Sequence, residues 1–156
     1  MSQIQRSTAI ILTRIQRTMA INVRAPASLV KSIAPAMPKG GRIVVISSMA
    51  ATWASPNMDI YSASKAAVNA MMKCWAISLG KSHGITANAI NPGFFPTDIN
   101  AHFTDELLDM FKNKQAIGHR LAEMDDLTGL AVFLGSEQSK WITGETIECS
   151  GGSSLG

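Results

Sequence analysis

Carboxylates are missing from the start of the chain. Residues 1–58 hold seven lysines and arginines and no acid, and the first carboxylate is Asp59. The rest carries seven basic and eleven acidic side chains, so a net charge of +3 hides an uneven distribution. A basic arm for nucleic acid would be denser in Lys and Arg and interleaved with aromatics, which make up only 6% of this chain. An acid-free, Ser/Thr-containing start is also the composition of an organelle transit peptide, but the later part of this stretch has the pattern of folded structure. Cysteine is scarce. Cys74 and Cys149 lie far apart, form no CxxC and have no clustered histidines, which excludes a metal knuckle or a disulfide scaffold. Two reduced thiols in a cytoplasmic protein is the expectation. Long apolar runs are lacking as well. The longest, near Ile43–Ile46 and Gly129–Leu134, fall far short of the ~20 residues of a membrane span. There is no internal repeat and no low-complexity tract.

What is present is a core. Hydrophobic residues make up 46% and charged residues 16% of 156 residues. That composition excludes a disordered chain and suffices for one domain with elements buried on more than one face. Ile11, Ile15, Met19, Val23, Ala27, Val30, Ala34 and Met37 recur at steps of three or four, one face of a helix. Pro26 and Pro35 predict a kink or a fresh start within it, and Pro38 closes it. Ala9–Thr13 reads equally as a short strand. After the turn Pro38-Lys39-Gly40-Gly41, Arg42–Ser47 is short, β-branched and nearly all apolar, as in a buried parallel strand. Residues 49–60 form a loop, Tyr61–Leu79 a long helix ended by Gly80 or Gly84, and Ile85–Ile90 a second strand stopped by Asn91-Pro92-Gly93. A polar helix around Thr104–Lys114, a helix opened by Asp125 and Asp126 and closed at Gly135, a third strand at Glu145–Cys149 and a surface tail at Gly151–Ser154 complete the chain. Helices alternate with strands, the α/β parallel pattern with right-handed crossovers.

Tyr61 and Lys65 stand four apart on one helix face. A phenol ionises near ~10 and is a poor base at neutral pH; an adjacent ammonium favours the phenolate, which makes the pair a unit for moving a proton on or off a hydroxyl. The same spacing also describes a half-buried tyrosine beside a solvated lysine. Ser48 sharpens the first reading. It directly follows the strand Arg42–Ser47, at the carboxyl end where α/β proteins build their sites, thirteen residues before Tyr61. Its hydroxyl there can bond a substrate oxygen, or merely cap the turn.

Three blocks resemble the short-chain dehydrogenase/reductase family: Gly41-Arg42-Ile43-Val44-Val45-Ile46-Ser47-Ser48; Tyr61-Ser62-Ala63-Ser64-Lys65-Ala66-Ala67; and Asn88-Ala89-Ile90-Asn91-Pro92-Gly93 with Thr97-Asp98. Val132-Phe133-Leu134-Gly135-Ser136 and Ile142-Thr143-Gly144 extend the match, which runs from about Met19 to the C-terminus. The resemblance implies a partial Rossmann-like, doubly wound parallel sheet with about three strands and flanking helices. It implies hydride transfer between NAD or NADP and a small-molecule alcohol or ketone. Tyr61 becomes the proton donor/acceptor and Lys65 its partner, which also hydrogen-bonds the nicotinamide ribose; Ser48 orients the substrate oxygen. Asn22 corresponds to a helix asparagine that holds a water in the proton relay, though from its own surroundings it reads equally as an asparagine near a kink. Pro92, Gly93, Phe95 and Thr97 correspond to the loop against the nicotinamide, and residues 98–118 to a mobile substrate lid, which Phe94, Phe95, Phe103, Leu107 and Met110 would make apolar, although core packing is the ordinary use of such side chains. The two long helical segments, about Arg17–Met37 and Tyr61–Leu79, resemble those that form the family's dimer interface, and that resemblance implies a homo-oligomer.

The chain departs from the family at its start. Nothing in residues 1–40 resembles the family's Gly-rich phosphate loop, and the residue that selects NAD or NADP, together with the Asn-Asn-Ala-Gly segment, is missing. Residues 1–18 stay unassigned, so residues 19–156 read as the C-terminal half of the domain. Ser150 replaces the usual acid before Gly-Gly, and Ala116-Ile117-Gly118 lacks the usual proline. Without the first half, Arg42–Ser47 has an apolar edge open to pairing, which residues 9–13 are expected to cover. Three readings follow: an oxidoreductase, a truncated noncatalytic module that pairs through its helices, and a fragment with no separate role.

Overall fold

The helical spacing that begins at Ile11 extends in both directions. In the computed structural model, which describes residues 3–53 and 55–155, α1 (Gln3–Met19) passes through one π-helical turn (Ala20–Arg24) into α2 (Ala25–Ile33). Ala9–Thr13 is therefore helix, because Ile11, Ile15 and Met19 continue the same stripe. The expected strand cover for the sheet edge is overturned, since the backbone hydrogen bonds of these residues are used within α1. Pro26 explains the widened turn. It has no N–H to give, so the Asn22 carbonyl loses its ordinary helical donor, and the local i→i+5 bond from Ala25 N to Ala20 O absorbs the break.

The sheet has three parallel strands, β1 (Arg42–Ile46), β2 (Thr86–Pro92) and β3 (Thr146–Cys149), in the order β1-β2-β3. Arg42 is opposite Thr86 and Ile46 opposite Ile90, while Asn91 is opposite Glu148. Between β1 and β2 runs α3 (Asp59–His83). Asp59 in its first turn and Lys81 and His83 in its last complement the helix dipole. Gly84 ends it at φ 65°, a left-handed conformation that glycine adopts without steric cost. Between β2 and β3 come α4 (Asp105–Lys114) and α5 (Met124–Gly135). The α/β class and the flanking helices expected from the sequence are what the structure shows.

Ile43, Val45, Ala87 and Ala89 alternate onto one face of the sheet and meet Met72 and Ala76 of α3, Val30 of α2, and Ala34. The two alanines of β2 let α3 come close, and Met72, with no exposed surface, fills the space. Leu134, equally buried, comes from α5, which packs on β1 and β2. The C-terminal segment is not the free surface tail that its glycines suggest. Ser150 is buried, and Ala116 N and Ile117 N donate to Gly151 O at 2.8 and 3.2 Å.

β1 pairs only with β2, so its other edge is open among the described residues. Beside that edge Val44, Val45 and Ile46 join Leu29, Ile33 and Met37 around a groove of about 410 Å³. Ile46 keeps 48% of its surface exposed there.

Met72→Ala should cost about 2–5 kcal/mol in chemical denaturation. Ile46→Lys should stay within about 0.5 kcal/mol of the parent, yet reduce concentration-dependent self-association measured by light scattering, because an edge lysine blocks strand pairing.

Candidate active site

Lys65 joins two of the elements on which the sequence places the chemistry. It lies on α3 one turn after Tyr61, and its Nζ donates to the carbonyl of Ile46, the last residue of β1, at 3.1 Å. The same Nζ is 5.8 Å from the centre of the Tyr61 ring. Burial pushes the ammonium below the ordinary lysine value, because a desolvated cation loses hydration. Ser47 Oγ donates back to Lys65 O at 3.2 Å, so strand end and helix are laced twice.

Ser48 follows at the strand end. Its Oγ accepts from Ala50 N at 3.1 Å and caps the short 3-10 turn Met49–Ala51. Capping uses one lone pair and leaves the hydroxyl hydrogen to donate. The two sequence readings of Ser48 are thus compatible.

Asn22 sits in the π-helical turn and reaches across to α3. Its Nδ2 donates to Ser64 Oγ at 3.0 Å, and Ser64 Oγ donates to Tyr61 O at 2.7 Å. Ser64 has no exposed surface. This serine is the link that sequence reasoning did not single out. The available signal is a small polar residue three positions after Tyr61, on the side of α3 turned to the preceding helices. Asn22 and Lys65 line the same edge groove as Ile46.

Pro92 ends β2, and Gly93 N donates to Cys149 O at 2.9 Å. A Cβ on Gly93 would lie 2.9 Å from Ser150 Cα, so the C-terminal segment itself demands glycine here. Asn100 shapes the loop that follows: its Nδ2 donates to Phe95 O at 2.8 Å and its Oδ1 accepts from Thr97 N at 2.7 Å. Within residues 98–118, Phe103 and Phe111 stack with Phe94, the ring centres of Phe94 lying 5.5 and 4.2 Å from theirs. Phe111 was not foreseen in this group, while Met110 is exposed. Phe95 faces a cavity of about 440 Å³ shared with Arg120, Asp126, Glu148 and the turn at Ser150–Gly152. Arg120 grips Asp126 through two bonds of 2.7 and 2.8 Å and holds its carboxyl well below the usual range.

Gly93→Ala should destabilise by about 1–3 kcal/mol in urea titration, since backbone rather than a flexible side-chain tip must yield. The Lys65 shift gives a second expectation. Its folded pKa is lowered, so below ~10.4 there is a window in which the unfolded chain binds a proton that the folded chain has lost. Stability should rise with pH through that window, and urea titrations should show the rise disappear in Lys65→Met.

Comparisons with known proteins identify the family. A family model described as enoyl-(acyl carrier protein) reductase matches residues 4–154, reaching into the N-terminal segment that the motifs left unassigned. Human dehydrogenase/reductase SDR family member 4 is 37% identical over 144 residues, covering 87% of this chain and 50% of its own length. L-rhamnose 1-dehydrogenase (NAD(P)(+)) of a Sphingomonas strain is 34% identical over 145 residues, covering 88% and 56%. Among solved structures, the angucycline C-6 ketoreductase LanV with bound NADP superposes with a TM-score of 0.84 at 33% identity, covering 91% of this chain and 55% of that one. The chain spans about half the length of the curated relatives it matches. With three parallel strands, a Tyr-x-x-x-Lys helix anchored to the end of the first, and these relatives, the chain belongs to the short-chain dehydrogenase/reductase family.

Proposed function

We propose that this chain carries the proton-transfer and nicotinamide-facing part of an NAD(P)-dependent oxidoreductase acting on an alcohol or ketone. The observation that carries the reading is the half-buried Lys65 ammonium, held at 3.1 Å to the carbonyl at the end of β1 and 5.8 Å from the centre of the Tyr61 ring. In this reading Tyr61 Oη gives its proton to the substrate oxygen, or takes it in the reverse direction. Ser48 donates a hydrogen bond to that oxygen and lowers the cost of its developing charge. Lys65 keeps a positive charge beside the phenolate that forms. Asn22, through Ser64, fixes the turn of α3 that presents Tyr61.

A nicotinamide bound here would supply or accept the hydride. The fit is divided. Lys65 has three N–H donors and the bond to Ile46 uses one, leaving donors for a ribose hydroxyl. Pro92, Gly93, Phe95 and Thr97 form a shaped loop at the carboxyl end of β2. The phosphates find no such fit among the described residues. The helices that follow strands, α3, α4 and α5, each carry acid in the first turn, which repels an anion. Coverage of about half of each relative is in keeping with residues 19–156 corresponding to the C-terminal half of the family's domain. LanV with bound NADP supports the cofactor class, the family resemblance supports a homo-oligomer, and the free thiols of Cys74 and Cys149 support a cytoplasmic setting.

A second reading, a noncatalytic pairing module, draws on Ile10, Ile11 and Leu12 of α1, all exposed, and on the open edge of β1. Fluorescence titration with NADH and NADPH, followed by turnover with alcohol and ketone panels, separates the two. The oxidoreductase reading expects saturable binding, and a loss of roughly 10²–10⁴ in kcat for Tyr61→Phe with affinity kept. No binding, together with a stable dimer in light scattering, would replace it with the module.

A further inference from the structure

Glu148 is the fourth residue in a tie that joins four segments around the candidate site. Its Oε1 accepts from Asn91 Nδ2 at 2.8 Å and from Thr52 Oγ1 at 3.0 Å. Asn91 is its cross-strand partner in the parallel ladder and has no exposed surface. Asn91 Oδ1 in turn accepts from Asn69 Nδ2 at 3.2 Å, and Asn69 lies on α3 one turn beyond Lys65. Thr52 lies four residues after Ser48. The amides of Ala51, Thr52 and Trp53 close the intervening turn on Ser48 O, Met49 O and Met49 O at 2.9, 3.1 and 2.9 Å. A carboxylate accepts at several sites and donates none. It can therefore satisfy a buried amide and a loop hydroxyl together, which a neutral side chain of this size does less strongly.

We propose that Glu148 is a positioning residue for Ser48: it pins the turn that Ser48 caps to the ends of β2 and β3. Through Asn91 and Asn69 the same carboxylate sets the height of that turn against the helix bearing Tyr61 and Lys65. This inference rests on the oxidoreductase reading for its kinetic consequence, but the pinning itself is a property of the chain alone. Thr52 also makes a 3.1 Å contact to Met49 O, and its one proton cannot serve both acceptors fully. The ionised carboxylate is the stronger acceptor, which draws the hydroxyl outward to β3.

Four variants of the whole chain test this: Glu148→Ala, Glu148→Gln, Thr52→Val and Thr52→Ser. Thr52 is exposed, so its two variants should fold even where Glu148→Ala does not. Amide hydrogen exchange at residues 51–53 should quicken about tenfold in Glu148→Ala and Thr52→Val, the loss of roughly one charge-assisted hydrogen bond. Thr52→Ser should restore most of the protection, and Glu148→Gln, which keeps an acceptor oxygen without the charge, only part of it. In turnover, kcat should fall about tenfold in the first pair, with KM for the nicotinamide cofactor unchanged. Equal exchange in all variants would overturn the proposal, as would faster exchange with kcat unaltered. If the parent neither binds cofactor nor turns over while the exchange pattern holds, the oxidoreductase reading fails and the pinning by Glu148 stands.

Discussion

The bond from the Lys65 ammonium to the Ile46 carbonyl is the constraint on which the rest of the site depends. A strand ends with backbone groups that its ladder no longer satisfies, and a lysine enters protein only if something compensates its lost hydration. Each supplies what the other lacks. The pairing ties α3 to the end of β1 one turn after Tyr61, on a helix whose buried face is set by Met72 and Ala76. The lacing from Ser47 Oγ to Lys65 O and from Asn22 through Ser64 to Tyr61 O repeats the hold from two further directions.

The small residues of β2 act on the same geometry from below. Ala87 and Ala89 admit α3 close to the sheet, and Met72 and Ala76 occupy the gap. On the other side of the strand end, the approach of Ser150 to Gly93 brings the C-terminal segment up under the loop of Pro92–Thr97. The candidate site is thus framed by pieces distant in sequence, each held by one or two short polar contacts over a small apolar core.

Local features were the legible ones. The run Arg42–Ile46 reads as a buried strand because its residues are β-branched and apolar, and Tyr61 with Lys65 reads as a pair because four residues make one helical turn. The helix from Gln3 was open to another reading. Its first turn carries no acid, and Ala9–Thr13 on its own has strand composition. The partner of Asn22 could not be read at all, since Ser64 lies 42 residues away and only the packing of two helices brings them together. Glu148 was hidden for a related reason: its meeting with Asn91 follows from strand register, which depends on which strands are neighbours. At Gly93 the need for glycine was visible but the neighbour requiring it was not, because the glycines after Ser150 suggested a loose tail.

The contact between Gly93 and Ser150 also orders events during synthesis. The loop at residues 92–97 is made well before Ser150, the residue whose Cα a Cβ on Gly93 would meet at 2.9 Å. A parallel sheet built from sequence-distant strands forms slowly for the same reason, since chain entropy is spent before any pairing returns it. In chain order β1 and the helix of Tyr61 precede β2, and its second neighbour β3 comes only with Thr146–Cys149, so one edge of β2 is the last part of this sheet to be covered.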